Sequence, residues 1–182
     1  MHLRTVLALV AAAGVLAVPV AGAKHANRAV VASAKGDVTW AIPLPNPFGV
    51  HVDNDLEFNA KKRADGSVSG WIHYIQTVEG ESFEFSIDVT CLEIYDGNRA
   101  KLGGIITESN DETVPAGNYG WFSGFDLGKG KKGPRDRSSL LGFGDEAANE
   151  AFCASPNLPR FGPWDVKGDI KVKVASPHDD DD

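Results

Sequence analysis

The chain has 182 residues, of which 42% are hydrophobic and 24% are charged, and this length and composition predict one globular domain. Its 25 acidic residues outnumber its 18 basic residues, which gives a formal net charge of −7. Nucleic-acid binders carry a basic face, and proteins that dock electrostatically on anionic membranes carry basic clusters, so the charge balance argues against both classes.

The first predicted element is a secretory signal peptide over residues 1–23. Arg4 precedes an apolar run from Val6 to Val18, and the small-residue triplet Ala21-Gly22-Ala23 follows. The apolar run is short for a membrane span, so a membrane anchor is the less favoured alternative. We therefore expect a protein secreted through the general secretory route, with no stable membrane insertion after cleavage.

The rest of the chain is predicted to have three parts. Residues 24–35 show no sustained period and predict a flexible lead-in, and residues 36–175 predict a single β domain. Residues 176–182 end in the run Asp179 to Asp182, which predicts a disordered acidic tail.

Within the β domain, alternating apolar and polar residues predict about eight antiparallel strands with one solvated face. Leu56, Phe58 and Ala60, for example, fall on one face of their segment, and polar residues fall on the other. The predicted strands are 37–42, 55–61, 67–77, 81–91, 99–108, 118–127, 137–143 and 165–174. One short helix is predicted near 145–152, with an acidic start at Asp145 and Glu146.

The segment from Ser86 to Ser109 predicts a hairpin with an irregularity in its first strand. Its inward residues are odd-numbered as far as Cys91 and even-numbered from Leu92 onward. A β-bulge inserts one residue and changes the phase of a strand, so we expect a bulge at Cys91-Leu92 with Cys91 facing inward.

The register of this hairpin follows from matching its apolar faces. The expected pairs are Ile94 with Ala100, Leu92 with Leu102 and, on the solvated face, Glu93 with Lys101. This register leaves a three-residue loop, Asp96-Gly97-Asn98, between the strands.

About eight strands with one short helix predict an all-β fold. An antiparallel barrel is favoured because the strands are long, several connections are short, and closure protects sheet edges. A β-sandwich is the alternative, and Greek-key connections would favour it.

The hairpin also carries a resemblance. Its Thr90-Cys91-Leu92 strand, Gly97-Asn98-Arg99-Ala100 turn and Gly103-Gly104 return strand resemble a type of small secreted bacterial β-rich protein of unknown function. The resemblance extends over residues 55–145. It implies an exported β-rich domain and supplies no catalytic residues.

Cys91 and Cys153 are the two cysteines of the chain. In an oxidising compartment such a pair is more often a disulfide than a metal or redox site, so we predict a Cys91–Cys153 bridge. The alternatives are two buried free thiols or a catalytic cysteine, and the latter is disfavoured because no histidine is nearby in sequence.

No catalytic residue, metal ligand or cofactor is assigned from the sequence. It contains no His-Glu-x-x-His, Cys-x-x-Cys, phosphate-binding loop or Gly-x-Ser-x-Gly motif. An enzyme hypothesis would bring His51, His73, Glu79 and Glu81 together as acid–base groups at a barrel mouth. The preferred interpretation of His73 is a surface side chain.

Two further clusters allow a structural and a functional interpretation. Most often a basic run such as Lys129, Lys131, Lys132, Arg135 and Arg137 is a solvated loop, and the alternative is a patch for anions or polysaccharides. Trp121 and Phe125 share an alternation phase, which predicts core packing. Exposure of Trp121 or Phe122 would instead favour a carbohydrate or peptide surface.

These observations leave two functional hypotheses. The first is a secreted, non-enzymatic barrel that binds a small apolar ligand or a cell-envelope partner such as a polysaccharide. The second is an isomerase-like or cyclase-like enzyme with its site in the barrel mouth. The barrel interior distinguishes them, because packed side chains favour an interaction role, whereas an open cavity favours ligand binding or catalysis.

Overall fold

The computed structural model describes residues 28–128, 133–159 and 162–175, which form a nearly closed antiparallel β-barrel and one short helix. The predicted signal peptide, 1–23, and the predicted tail, 176–182, lie outside the described residues. The strands are β1 (Val30–Ile42), β2 (Val52–Arg63), β3 (Val68–Val78), β4 (Glu81–Tyr95), β5 (Arg99–Ser109), β6 (Tyr119–Phe125), β7 (Arg137–Ser138), β8 (Gly142–Gly144), β9 (Trp164–Asp165) and β10 (Lys167–Val174). The helix, α1, spans Glu146–Ala154.

Nine strands follow one another in the order β10-β1-β2-β3-β4-β5-β6-β7-β9, and β8 pairs with β6 beside this path. From β1 to β6 each strand pairs with the next one along the chain, and each pairing is antiparallel. This up-and-down order confirms the predicted barrel and replaces the sandwich alternative.

The alternation of side chains creates the inner and outer faces of the barrel. In β2, Val52, Asn54, Leu56, Phe58 and Ala60 are buried, and the residues that alternate with them are exposed. In β5 both faces are buried from Arg99 to Gly104, because α1 covers the outer face there. The domain therefore has a barrel core and a smaller second layer outside β4, β5 and β6.

Two aspartates close the seam between β10 and the edge formed by β6 and β7. The carboxylate of Asp126 accepts a 3.1 Å hydrogen bond from the backbone N–H of Val172. The carboxylate of Asp136 accepts bonds from the N–H groups of Ile170, at 2.7 Å, and Leu127, at 2.9 Å. These side chains satisfy backbone donors at the place where two strand edges meet.

The boundaries of two predicted segments need correction. Residues 30–35, which were assigned to a flexible lead-in, belong to β1 and lie between β2 and β10. Residues 30–35 are mostly small and alternate only weakly between apolar and polar, so the sequence pattern does not indicate a strand there. The predicted strand 137–143 is two short pieces, β7 and β8, because the chain leaves β6 after Ser138 and returns to it at Gly142.

The register of the β4–β5 hairpin is confirmed. Ile94 lies opposite Ala100, Leu92 lies opposite Leu102, and the loop spans residues 96–98. Glu93 and Lys101 are also opposite each other. The prediction that both face solvent is wrong for Lys101, which is 2% exposed. Glu93 instead pairs with Lys62 at 2.6 Å.

The irregularity in β4 lies slightly before the predicted position. The register shifts between Val89 and Cys91, so Thr90 is the extra residue. Cys91 therefore points outward, contrary to the prediction that it faces the core. Its sulfur forms the predicted disulfide with Cys153 of α1, which attaches the helix to the outside of the barrel.

The predicted helix is confirmed at Glu146–Ala154. The side chain of Asp145 accepts a 2.8 Å hydrogen bond from the N–H of Ala148, so Asp145 is the N-cap residue. The acidic Glu146 in the first turn suits the start of the helix, because negative charge is favourable at a helix N-terminus.

Candidate functional site

The interior of the barrel is occupied by packed apolar side chains. The rings of Phe58 and Phe122 meet edge to face with centroids 4.9 Å apart, and Tyr74 stacks on Phe85 at 6.3 Å. Aliphatic side chains that are at most 1% exposed fill the space around them, among them Leu56, Ile72, Ile87, Leu92, Leu102, Ile106 and Ile170. Packing of this kind favours a structural or interaction role for the barrel.

A small polar network lies within this core. The hydroxyl of Tyr74 donates a 2.5 Å hydrogen bond to Asn54 Oδ1, and Asn54 Nδ2 donates to the carbonyl of Trp40. Gln76 Nε2 donates to the Tyr74 oxygen at 3.1 Å. Burial raises the pKa of Tyr74, and hydrogen bonds from Leu141 and Gln76 oppose that effect. The phenol is therefore a neutral structural group.

The proposed acid–base residues do not meet at one site. His51 bonds to Asp53 at 3.0 Å, and its backbone N–H donates to Glu79 near the turn between β3 and β4. His73 lies on the outer face of β3, five residues before the end of that strand. Its ring is 3.5 Å from the carboxylate of Glu84 on β4. The surface interpretation of His73 agrees with its 37% exposed side chain.

The fourth member of that hypothesis, Glu81, is exposed and lies opposite Val78 at the start of β4. It therefore lies next to the turn that carries Glu79, after the end of β3, and away from His73. The geometry does not bring the two histidines and two glutamates to a common reacting centre.

A hollow of about 440 Å³ lies on the outer face of β10, β1, β2 and β3. Trp71 forms one side of it and is 41% exposed, although its neighbours Ile72 and Tyr74 are buried in the core. Asn59 lies directly opposite Trp71 on β2. Trp71 alternates with the buried Ile72, which is consistent with its outer-face position, but the sequence pattern gave no sign that a hollow adjoins it.

Charged side chains of both signs surround this hollow. The lining includes Lys35, Asp37, Glu57, Asp169 and Lys171. Lys171 forms an ion pair with Asp169, and hydrogen bonding to that carboxylate, together with the charges of Asp169, Asp126 and Asp136, raises its pKa despite some desolvation. The hollow therefore combines one indole face with many hydrogen-bonding groups.

A second cavity, of about 310 Å³, lies beside α1 and is referred to here as the helix cleft. Its walls come from Trp121 of β6, from residues 139–142, from Phe152 of α1 and from residues 155–159. The rings of Trp121 and Phe152 stack with centroids 5.9 Å apart. Trp121 thus packs under the helix, outside the barrel, and the prediction that it packs in the core in phase with Phe125 is wrong.

The buried aromatic residue of β6 is instead Phe122, which is 1% exposed inside the barrel. Neither aromatic residue therefore forms the carbohydrate surface that exposure beside the basic loop would have indicated. Lys129, Lys131 and Lys132 lie outside the described residues. Arg135 and Arg137 are exposed, and Arg137 bonds to Asp165 at 2.7 Å.

The C-terminal end of α1 is satisfied by three side chains from the hairpin. Lys101 Nζ donates to the carbonyls of Phe152, at 3.0 Å, and Ser155, at 2.6 Å. The Tyr95 hydroxyl donates to the carbonyl of Cys153. Positive charge is favourable at a helix C-terminus, and α1 has no basic residue in its own last turn.

Arg99 extends this arrangement and donates to the carbonyl of Pro156. Its guanidinium lies over the Tyr95 ring, 5.1 Å from the centroid, and the Lys101 ammonium lies 4.3 Å from the Phe152 centroid. Two cations are thus buried between the barrel and the helix. The sequence pattern did not reveal this site, because it predicted an inward Cys91 and a solvated Lys101.

Comparisons with protein-family models, curated proteins and solved structures find no match to this chain. Within residues 28–128, 133–159 and 162–175, no three histidine, cysteine or acidic side chains cluster as metal ligands. The helix in that part of the chain is not long and apolar enough to cross a membrane.

Proposed function

We propose that this protein is a secreted, non-enzymatic β-barrel that binds a cell-envelope polysaccharide on its outer face. The observation that carries the proposal is Trp71, an indole 41% exposed at the wall of a polar hollow. A sugar ring presents an apolar face and a rim of hydroxyls. Binding sites for small polar molecules likewise combine aromatic contact area with a few placed polar groups.

The surrounding side chains suit hydroxyl recognition. Asn59 offers an amide donor and acceptor opposite Trp71, and Asp37 and Glu57 offer carboxylate acceptors in the same hollow. Lys35 and Lys171 supply donors from the other side. Because both signs of charge are present, a neutral or weakly charged glycan fits this lining better than a polyanion.

Export is part of the same proposal. It rests on the signal-like residues 1–23 and is supported by the Cys91–Cys153 disulfide, since disulfides persist mainly in oxidising compartments. The resemblance of the hairpin to small secreted bacterial proteins agrees with it and remains a prediction. The barrel-mouth enzyme is not proposed, because His73 lies on the outer face beside Glu84, away from His51, Glu79 and Glu81.

The test is co-sedimentation of the purified protein with insoluble peptidoglycan. The wild type is expected in the pellet, and Trp71→Ala is expected to lose at least tenfold in affinity, the loss reported for removing one stacking or hot-spot aromatic. Phe48→Ala is the matched control, because Phe48 is a 38% exposed aromatic on the loop between β1 and β2, and it does not line the hollow.

Two results would contradict the proposal. The wild type could remain in the supernatant with peptidoglycan and with other isolated envelope polysaccharides. Alternatively, Trp71→Ala could bind as well as Phe48→Ala, which would place any binding away from the hollow. Circular dichroism of both variants should match the wild type, because each residue removed is partly exposed.

A further inference from the structure

The helix cleft is a second candidate site, distinct from the hollow at Trp71. Its walls are mainly apolar, with Trp121, Leu140, Leu141, Phe152 and Leu158 among the lining residues. Leu158 lines this cleft and is 62% exposed. An apolar occupant would cover this surface and the edge of the Trp121 ring.

Positive charge lies at the wall of the same cleft. Lys101 lines it, and so do Phe152 and Ser155, whose carbonyls accept hydrogen bonds from Lys101 Nζ. An ammonium has three donors, and these two carbonyls use two of them. An anion in the cleft would bond to the third donor or replace one of these carbonyls, because a charge-assisted hydrogen bond to a carboxylate is stronger than one to a carbonyl.

The cations near the cleft lack a matching buried carboxylate. Glu93 is opposite Lys101 across the hairpin but bonds to Lys62. The nearest carboxylate to Arg99 is Asp96, at 3.8 Å, and its side chain is 79% exposed. An arriving anion would therefore meet two cations whose partners at the helix end are neutral carbonyls.

The titration of Lys101 agrees with this geometry. Burial, followed by the charge of Arg99, lowers the pKa of Lys101. A carboxylate next to the ammonium would oppose this lowering, because an opposite charge favours the charged form of a lysine.

We infer that the helix cleft binds a small amphipathic anion of the fatty-acid type, with its carboxylate at the Lys101 ammonium and its chain between Trp121 and Leu158. The volume of about 310 Å³ is near the lower limit for small-molecule pockets, so a chain of medium length fits better than a long one. This site is independent of the proposed polysaccharide site, since the two cavities share no lining residue.

The first measurement is isothermal titration calorimetry of the full mature protein with decanoate, decanol and octanoate below their micellar concentrations. Decanoate is expected to bind with a stoichiometry of one. Decanol should bind at least about tenfold more weakly, because it lacks the charge-assisted hydrogen bond. Octanoate should bind about fifteenfold more weakly, since each buried methylene contributes about fourfold.

Variants then locate the site. Leu158→Ser should weaken decanoate binding without affecting the fold, because Leu158 is mostly exposed, and Leu44→Ser, at a 56% exposed leucine elsewhere, should bind like the wild type. Lys101→Met keeps an apolar stem and should remove the preference for decanoate over decanol. If Lys101→Met does not fold, comparing Leu158→Ser with Leu44→Ser still shows whether decanoate binds in the helix cleft.

Several results would overturn the inference. Equal affinity for decanol and decanoate would remove the role of Lys101, and equal affinity in Leu158→Ser and Leu44→Ser would move binding out of the cleft. A concentration-dependent dimer that Leu158→Ser dissociates would show that the cleft is covered by a second copy of the chain. Polysaccharide binding should be unchanged in Leu158→Ser, so the two proposals fail separately.

Discussion

The carboxylate of Asp136 accepts a 2.7 Å hydrogen bond from the backbone N–H of Ile170, across the seam where the barrel closes. The second oxygen of the same carboxylate accepts from Leu127 at 2.9 Å. Asp136 is 8% exposed and Ile170 is fully buried, so this contact joins β10 to the opposite edge in a place largely shielded from water.

Replacing Asp136 should therefore destabilise the barrel. Asp136→Asn keeps one acceptor oxygen but turns an amide N–H₂ toward one of the two backbone donors, which leaves a buried donor without a partner. We expect a loss of about 2–4 kcal/mol in the free energy of unfolding. Urea unfolding followed by tryptophan fluorescence measures it.

The control for this prediction is Asp169→Asn, which removes an exposed carboxylate on β10 whose partner is the surface residue Lys171. Exposed ion pairs contribute little, so its stability should change by less than about 1 kcal/mol. Equal effects of the two substitutions would show that the seam does not depend on Asp136.

Tyr74 predicts a loss of stability at alkaline pH. Its folded pKa is raised by burial, so the folded protein retains the phenolic proton at pH values where the unfolded chain, with a pKa of about 10, releases it. The stabilisation is fully present below pH 10 and decreases above it by about 1.4 kcal/mol for each pH unit, until the folded phenol also ionises.

The variant Tyr74→Phe tests this dependence. At pH 7 it should be about 1–2 kcal/mol less stable than the wild type, because Asn54 loses its 2.5 Å donor. The difference between wild type and variant should shrink above pH 10, since phenylalanine does not titrate. A difference that is constant from pH 7 to pH 11 would contradict the prediction.

The Cys91–Cys153 disulfide should stabilise the attachment of α1 to the barrel. It closes a loop with a sequence separation of 62 residues, and the chain-entropy treatment assigns such a bridge about 4 kcal/mol. A double Cys91→Ser, Cys153→Ser variant should lose stability of that order. Amide hydrogen exchange should increase first in α1, with β2 as the internal reference.

The bridge itself has a direct chemical check. The unreduced, denatured wild type should gain no mass when treated with an alkylating agent, and the reduced protein should gain two adducts. Two adducts without reduction would show that the thiols are free.

Two buried glycines in adjacent strands should tolerate alanine to different degrees. A Cβ on Gly104 would fall on the backbone carbonyl of Asp88, which cannot move without breaking the β4–β5 ladder. On Gly124 the nearest atoms are side-chain carbons of Ile170 and Phe122, 3.5 Å away or more, which is an ordinary contact.

We therefore expect Gly104→Ala to cost about 3 kcal/mol or more and Gly124→Ala to cost less than about 1 kcal/mol. Thermal unfolding of the two variants provides the comparison. Similar melting temperatures for both would show that the β4–β5 backbone can relax around the added methyl group.

The hairpin shows how far sequence reasoning can extend. Ile94 and Ala100 could be paired in advance, because a one-residue slip would turn every apolar side chain outward. The bulge was placed one or two residues late, because the phase change in the pattern does not reveal which residue is extra. Cys91 therefore received the wrong direction, although its disulfide partner was predicted correctly.

The second layer escaped prediction for a related reason. Alternation separates two faces of a strand, but it does not state whether another element covers the outer face. Lys101 was expected in water next to Glu93, and Trp121 was expected in the barrel. Both instead lie beneath α1, so the helix cleft could be recognised only after the helix was placed.

The pairing of β1 with β10 has a practical consequence for engineering. Ala32 lies opposite Val174, and the N–H of Ala175 donates to the carbonyl of Val31 at 2.9 Å, so the first and last strands meet at one rim. A short Gly-Ser linker could therefore join these strands, and new chain ends could be cut at the exposed Asp65-Gly66 turn. Such a circular permutant would keep every strand neighbour, and its new ends would lie at the same rim as the linker, because Val30 pairs with Arg63 next to that turn.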